Sequence, residues 1–333
     1  MMGDKTIIIT GGAGFIGSHA CKCLAEAGYR PVTIDNLSTG HADAVKWGPL
    51  EQIDLRDTEA TAAALGRHKP SAVMHFAACA YVGESVIAPD LYYNNNVGGM
   101  ISLLAAMKAE GVKQLIFSSS CSTYGLPEIV PIRETTPQHP INPYGRTKLI
   151  GEMMVRDHAA AFDLRYVMLR YFNAAGSDPE GVLHERHDPE THLIPLALMA
   201  AAGTGPQLRI FGTDYDTPDG TCIRDYIHVS DLAEAHRLAL AHLEKAGGNL
   251  VLNLGTGSGL SIRDITEAIA RLTGRPVPCE NALRRPGDPA ALVAATDEAR
   301  RLLGFSPRYS TIDSILRHAA PHFGLEIHHG VDA

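Results

Sequence analysis

The sequence predicts an α/β fold, a doubly wound parallel sheet with a smaller, mixed α/β region beside it. Three observations carry this. Short apolar runs rich in Ile and Val alternate with helix-length amphipathic stretches through the first half of the chain. A glycine-rich turn, TGGAGFIG, follows the first of these runs directly and opens the first helix. Beyond about residue 175 the alternation gives way to turn-rich pieces, GSDPEG, HDPET, GTDYDTPDG and RRPGDP, the texture of a smaller binding region laid over a sheet.

Taken in order, KTIIIT (5–10) reads as a buried strand and residues 15–27 as a helix stopped by Gly28. RPVTID (30–35), AVMHFAA (72–78) and KQLIFSSS (113–120) read as further strands, with helical stretches near 57–67 and 90–110 between them. Pro143 opens a long helix to about Phe162, because its fixed φ suits a first helical turn, and LRYVMLR (164–170) returns to strand. DYIHVSDLAEAH (225–236) reads as a strand and a helix with Ser230 or Asp231 as N-cap. This pattern makes residues 1–172, rejoined by 225–255, one domain and 173–330 the other. The last residues, EIHHGVDA, read as a loose tail.

At 333 residues, 45% hydrophobic and 20% charged, the chain is long enough for a large core and has the composition of a soluble protein. Its formal charge of −8 argues against a nucleic-acid or membrane-surface partner, since both favour a basic face. Six cysteines without CxxC spacing predict reduced thiols in a cytoplasmic protein, not a structural zinc site. The apolar run in MMGDKTIIIT is too short for a secretory signal, and no stretch reaches the roughly 20 apolar residues of a membrane span. His184, His187 and His192 lie near Asp188, Pro189 and Glu190 without a helical H-x-x-x-H pattern, which predicts a solvated loop and no metal.

The glycine turn is where chemistry begins. Gly11, Gly14 and Gly17 would let the backbone turn tightly, approach a pyrophosphate and pack the helix on the sheet, with the helix N-terminus facing the phosphates. Asp35, at the end of the second strand, stands where a carboxylate can accept from the adenosine ribose hydroxyls and would repel a 2′-phosphate. NAD is therefore the expected cofactor.

In NPYGRTKL, Tyr144 and Lys148 lie four residues apart and share one helix face. Eleven tyrosines and eight lysines in this length would place about 0.26 such pairs by chance, so the pair alone says little. Its position says more: it opens the helix after KQLIFSSS, at the sheet end that the glycine turn marks for a dinucleotide, with the hydroxyl of Ser120 in the same cleft. A phenol serving as a base near neutral pH needs a pKa fall of roughly three units, and the Lys148 ammonium, helped by a cationic nicotinamide ring, is the candidate to supply it.

Gly-x-x-Gly-x-x-Gly with Tyr-x-x-x-Lys resembles the extended short-chain dehydrogenase/reductases, whose core is a Rossmann domain. TGGAGFIGSH, IFSSSCSTYG, NPYGRTKLIGE, LRYFNAAG and RRPGDPA are similar, within that group, to the epimerases that interconvert UDP-galactose and UDP-glucose. The resemblance implies that Tyr144 exchanges the proton of the sugar 4-hydroxyl, Lys148 lowers the tyrosine pKa and holds the nicotinamide ribose, and Ser120 bonds the 4-oxygen. NAD would take and return the C4 hydride around a rotating 4-keto sugar. It also implies cofactor contacts at Phe15, Ile16, Asn36, Asp54, Leu55, Phe76, Ala77, Ala78, Asn95, Ser118 and Phe172. Nucleotide-sugar contacts fall at Asn173, His192, Leu193, Arg209, Phe211, Arg224, Arg285, Asp288 and Leu292, and a homodimer is implied through the helices near 90–110 and 143–162.

Three positions depart from the pattern. Ala80 stands in place of a cofactor-contacting lysine, His192 in place of an amide, and Leu292 in place of a large tyrosine, which leaves room for an N-acetyl group. Cys121 and Ser122 replace the Asp-Glu pair a 4,6-dehydratase needs to eliminate water. Epimerases of UDP-N-acetylglucosamine, UDP-xylose or UDP-glucuronate, and a non-catalytic NAD sensor, remain as alternative readings.

Overall fold

The computed structural model describes residues 5–285 and 287–328. Its first half runs β1 (Thr6–Thr10), α1 (Phe15–Glu26), β2 (Arg30–Asp35), β3 (Leu50–Gln52), α2 (Thr58–His68), β4 (Ala72–His75), α3 (Val82–Ile87), α4 (Pro89–Tyr92), α5 (Gly98–Ala109), β5 (Gln114–Ser120), α6 (Pro143–Phe162) and β6 (Arg165–Tyr171). There follow β7 (Asn173–Ala175), α7 (Leu193–Ala202), β8 (Leu208–Phe211), β9 (Ile223–His228), α8 (Val229–Glu244), β10 (Leu250–Leu254), β11 (Gly259–Ser261), α9 (Ile262–Thr273), β12 (Cys279–Ala282), β13 (Ala291–Leu292), α10 (Asp297–Leu303) and α11 (Ile312–Ala319).

Seven strands form one parallel sheet in the order β10-β6-β5-β4-β1-β2-β3. β1 shows why such strands read as unbroken apolar runs. Ile7 and Ile9 pack on one side with Leu24 of α1 and Leu240 of α8, while Ile8 packs on the other with Leu65 of α2, Leu103 of α5 and Val155 of α6. Both faces are covered, so alternation disappears. The strand order reverses beside β1, which opens a crevice at the carboxyl ends of β1 and β4.

Several elements differ from the sequence reading. AVMHFAA leaves the sheet at His75, because the N–H groups of Phe76 and Ala77 both turn onto the Thr10 carbonyl, at 3.0 and 3.1 Å. The stretch near 90–110 is helical as expected, but α4 and α5 are joined through a wide π-type turn, Tyr93–Val97. His228, not Ser230 or Asp231, caps α8, its Nδ1 accepting from the Ser230 N–H at 3.1 Å. Asp231 instead accepts from the backbone of Arg308 and Tyr309.

Of residues 225–255, α8 and β10 pack on the large sheet, while β9 belongs to a small one with β7, β11 and β13. β8 and β12 form a separate pair. The expected loose tail is pinned as far as it is described, with the His328 N–H on the Leu272 carbonyl at 2.8 Å. Residues 329–333 lie outside the described residues. Among the described residues no helix is long and apolar enough to cross a membrane.

One buried ion pair ties these layers together. Arg170 of β6 forks onto Glu152 of α6 with contacts of 2.8 and 2.7 Å, and Ser119 of β5 donates to the same carboxylate at 2.6 Å. The remaining guanidinium nitrogen donates to Tyr124 Oη at 2.8 Å, and Tyr124 donates in turn to Asn253 of β10 at 2.7 Å. Removing one partner strands the other charge in the core. Glu152→Ala is expected to cost about 3–5 kcal/mol, read as a lower urea midpoint. An unchanged midpoint would show that the pair does not hold α6 in place.

Candidate functional site

α6 begins where its sequence says it should. The Asn142 side chain caps it by accepting from the Gly145 N–H at 2.8 Å, and Pro143 occupies the first turn. A Cβ on Gly145 would stand 2.5 Å from the Ser122 carbonyl oxygen. Only glycine therefore lets this helix end dock on the turn that follows β5. The docking brings Tyr144 beside Ser120, whose hydroxyl accepts from the Ser122 N–H at 3.1 Å.

One turn further along, Lys148 is buried, donates to the Ser118 carbonyl at 2.8 Å and lies 5.8 Å from the centre of the Tyr144 ring. Burial lowers its pKa to about 8. Burial pushes the Tyr144 phenol up to about 12, against the lowering effect of the Ser120 hydroxyl. In the protein alone, then, the phenol is not depressed. Tyr144 is an acid held in reserve until more positive charge arrives.

The residues expected to meet the dinucleotide line the carboxyl edge of the large sheet. Gly11, Gly14, Phe15, Ile16 and Gly17 form the β1–α1 turn; Asp35 and Asn36 close β2; Asp54 and Leu55 follow β3; Phe76, Ala77 and Ala78 follow β4. Asn95 lies on the π-type turn, Ser118 on β5, and Phe172 after β6. No side chain caps α1, which leaves its first N–H groups for a ligand, and the turn is closed tightly enough to bring a pyrophosphate onto them. NAD fits this edge.

Asp35 does more than face a ribose. Its two oxygens accept from the N–H groups of Ala13 and Leu37, at 3.1 and 2.8 Å, and so brace the glycine turn with lone pairs to spare. Asn36 donates to Asp54 at 3.3 Å, and Arg56 forks onto Asp54, holding its carboxyl well below the usual range. Leu55 turns its side chain into the core.

The second group gathers around the small sheet. Leu292 of β13 pairs in register with Arg224 of β9, and Leu292 packs with Cys121, Tyr124 and Phe172. Asn173 of β7 pairs with the other end of β9. Arg224 is ion-paired with Asp288, and the Arg285 guanidinium stacks 4.0 Å from the Phe211 ring centre. Arg209 lies 5.1 Å from the same ring but is also paired with Glu280 at 3.0 Å on an exposed surface. Leu193 starts α7, with His192 as its N-cap.

The histidine loop is not the solvated stretch its sequence predicts. His184 stacks on His322, with ring centres 4.2 Å apart. His187 and His192 converge instead on Glu185 and Glu190, whose side chains are almost wholly buried. Packing against Phe15 and Tyr81 turns the His187 ring inward, which a loop without helical period cannot announce.

Sequence reasoning also passed over Asn96. Its side chain accepts from the Cys79 N–H at 2.8 Å and donates to the Cys79 carbonyl and to Thr147 Oγ1, each at 3.0 Å, so it joins the loop after β4 to α6. The available sign was the run NNN inside a helical stretch, where amides are poor formers.

Residues 7–255 match the model of the NAD dependent epimerase/dehydratase family. A UDP-glucose 4-epimerase of Rhizobium leguminosarum bv. trifolii is 51% identical over 96% of this chain and 97% of its own length. The solved UDP-glucose 4-epimerase of Brucella ovis in complex with NAD superposes with a TM-score of 0.96 at 58% identity, covering 97% of this chain and 100% of that one. The UDP-Glc/GlcNAc 4-epimerase of Campylobacter jejuni gives 0.84 at 38% identity over 96% and 99%.

A Cβ on Gly17 would stand 2.2 Å from the Gly11 carbonyl oxygen, inside the cofactor turn. Gly17→Ala is expected to purify with at least about tenfold less bound dinucleotide, measured after acid release, since the turn must open to admit the methyl group. Full occupancy in that variant would rule the turn out as the pyrophosphate cradle.

Proposed function

Since the chain belongs to the NAD dependent epimerase/dehydratase family, we propose that Tyr144, Lys148 and Ser120 are the reaction centre of a 4-epimerase acting on UDP-galactose and UDP-glucose. The enzyme inverts C4 of a UDP-sugar with NAD as cofactor. The observation that carries the site assignment is the convergence of these three residues on the carboxyl edge of the sheet. Bound NAD supplies what the side chains lack, a reversible hydride acceptor beside the sugar C4.

The side chains handle the proton. Tyr144 Oη takes it from the 4-hydroxyl and later returns it, and Ser120 Oγ bonds the 4-oxygen throughout. A phenol near 12 becomes a base only beside added positive charge, and Lys148, protonated below about pH 8, supplies part of it. Between the hydride transfers a 4-keto sugar must turn over, so the protein has to grip the nucleotide and leave the hexose free. That division suits residues 1–172 with 225–255 as the NAD-binding part and 173–330 as the nucleotide-sugar part.

Arg285 over Phe211 offers a guanidinium to the pyrophosphate, and Arg224 offers a second one once it shares Asp288 with the ribose hydroxyls of uridine. Asn173 and the backbone at His192 and Leu193 complete that set. Six free cysteines support a cytoplasmic setting, and exposed Ile101 of α5 with Met153 and Phe162 of α6 supports a homodimer through those helices.

Incubation of the pure protein with UDP-galactose and no added NAD is expected to yield UDP-glucose, and Tyr144→Phe to lower the rate by about 10²-fold or more. Wild-type protein that converts nothing would overturn the reading. Leu292 favours one extension, because it packs against the cluster of Cys121 and Phe172, the neighbours of Ser120 and Asn173, and is smaller than the tyrosine expected there. UDP-N-acetylglucosamine is expected to be epimerised by the wild type and, at least about tenfold less well, by Leu292→Tyr. Absence of turnover with the wild type would close that extension.

A further inference from the structure

We propose that Glu185, His187, Glu190 and His192 form a binding site for one divalent metal ion of the zinc class. The four side chains come from eight consecutive residues on the loop that leads into α7. One donor atom from each lies within 4.8 Å of all the others. His187 Nδ1 is 3.3 Å from Glu185 and 3.5 Å from Glu190, and His192 Nδ1 is 2.6 Å and 3.6 Å from the same two carboxylates. Zinc bonds of 2.0–2.1 Å in a tetrahedron set neighbouring donors about 3.3 Å apart. Three of the four contacts are near that spacing, and the fourth reaches it by exchanging one hydrogen bond for two metal bonds.

Two further observations point to a cation. Glu185 and Glu190 keep only 5% and 9% of their side-chain surface exposed, so two negative charges are packed where water does not neutralise them. His187 Nδ1 is buried between them and makes no aligned hydrogen bond to either. A nitrogen close to two carboxylates but directed between them is placed as a ligand is. Two imidazoles and two carboxylates suit zinc, cobalt or nickel over magnesium or calcium, which prefer oxygen alone.

Phe15 and Tyr81 meet the His187 ring edge to face, with centres 6.3 and 5.8 Å away, and the His192 side chain, 44% exposed, forms the open side. A metal here would pin the loop before α7 into one shape. The proposal stands apart from the choice of sugar, since binding of the metal is its readout.

The test uses the tag-free full chain carrying NAD, stripped with a chelator, exchanged into metal-free buffer and titrated calorimetrically with zinc chloride. We expect about one equivalent bound and a higher melting temperature for the loaded protein. His187→Ala and Glu190→Gln are expected to weaken binding by more than the 10–100-fold typical of an outer partner. Glu190→Gln keeps the shape of the side chain, and circular dichroism of both variants shows whether they are folded. Wild type that binds no zinc, or variants that bind it as tightly as wild type, would overturn the proposal in favour of a hydrogen-bonded ion cluster.

Discussion

The bidentate contact between Arg170 and Glu152 is the constraint on which the catalytic geometry depends. Tyr144, Lys148 and Glu152 follow one another at intervals of four, so a single face of α6 carries the proposed base, the proposed cation and the anchor. Anchoring Glu152 to β6 and to Ser119 of β5 sets the height of the helix over the sheet. Ser118 then receives Lys148, and Ser120 meets Tyr144. A helix shifted by one residue along its axis would move about 1.5 Å and break both contacts.

Burial acts on the catalytic pair in a consistent direction: it raises the phenol and lowers the ammonium, which brings the two pKa values to about 12 and about 8. Each group is thereby held closer to its neutral form. The cleft is thus poor at charge separation by itself and responsive to charge brought in from outside. A site built this way couples proton position to the redox state of what it binds, because only the oxidised dinucleotide carries the needed positive charge.

Much of the architecture was legible because it rests on local rules. Strands buried on both faces gave unbroken runs, Pro143 announced α6, and Tyr144 and Lys148 share one helix face as their spacing requires. What was not legible rests on distant partners. β3 is three residues long and largely polar, Arg224 meets Asp288 across 64 residues, and His228 displaced two better capping residues because its ring also bonds His318. The convergence of Glu185, His187, Glu190 and His192 lacks a period altogether, since packing against Phe15 and Tyr81 decides where the His187 ring points.

The wide turn at Tyr93–Val97 has a consequence for how this chain can change over time. Such a turn absorbs one additional residue while the helices on either side keep their places. Removing that residue would let the turn close into ordinary α-helix, with Leu103, Leu104 and Met107 still facing the core. Asn96 would leave Cys79 and Thr147 at the same step. The extra residue is therefore kept for where it puts the Asn96 amide, and its loss would be felt at the loop after β4 and at α6 while the core stayed packed.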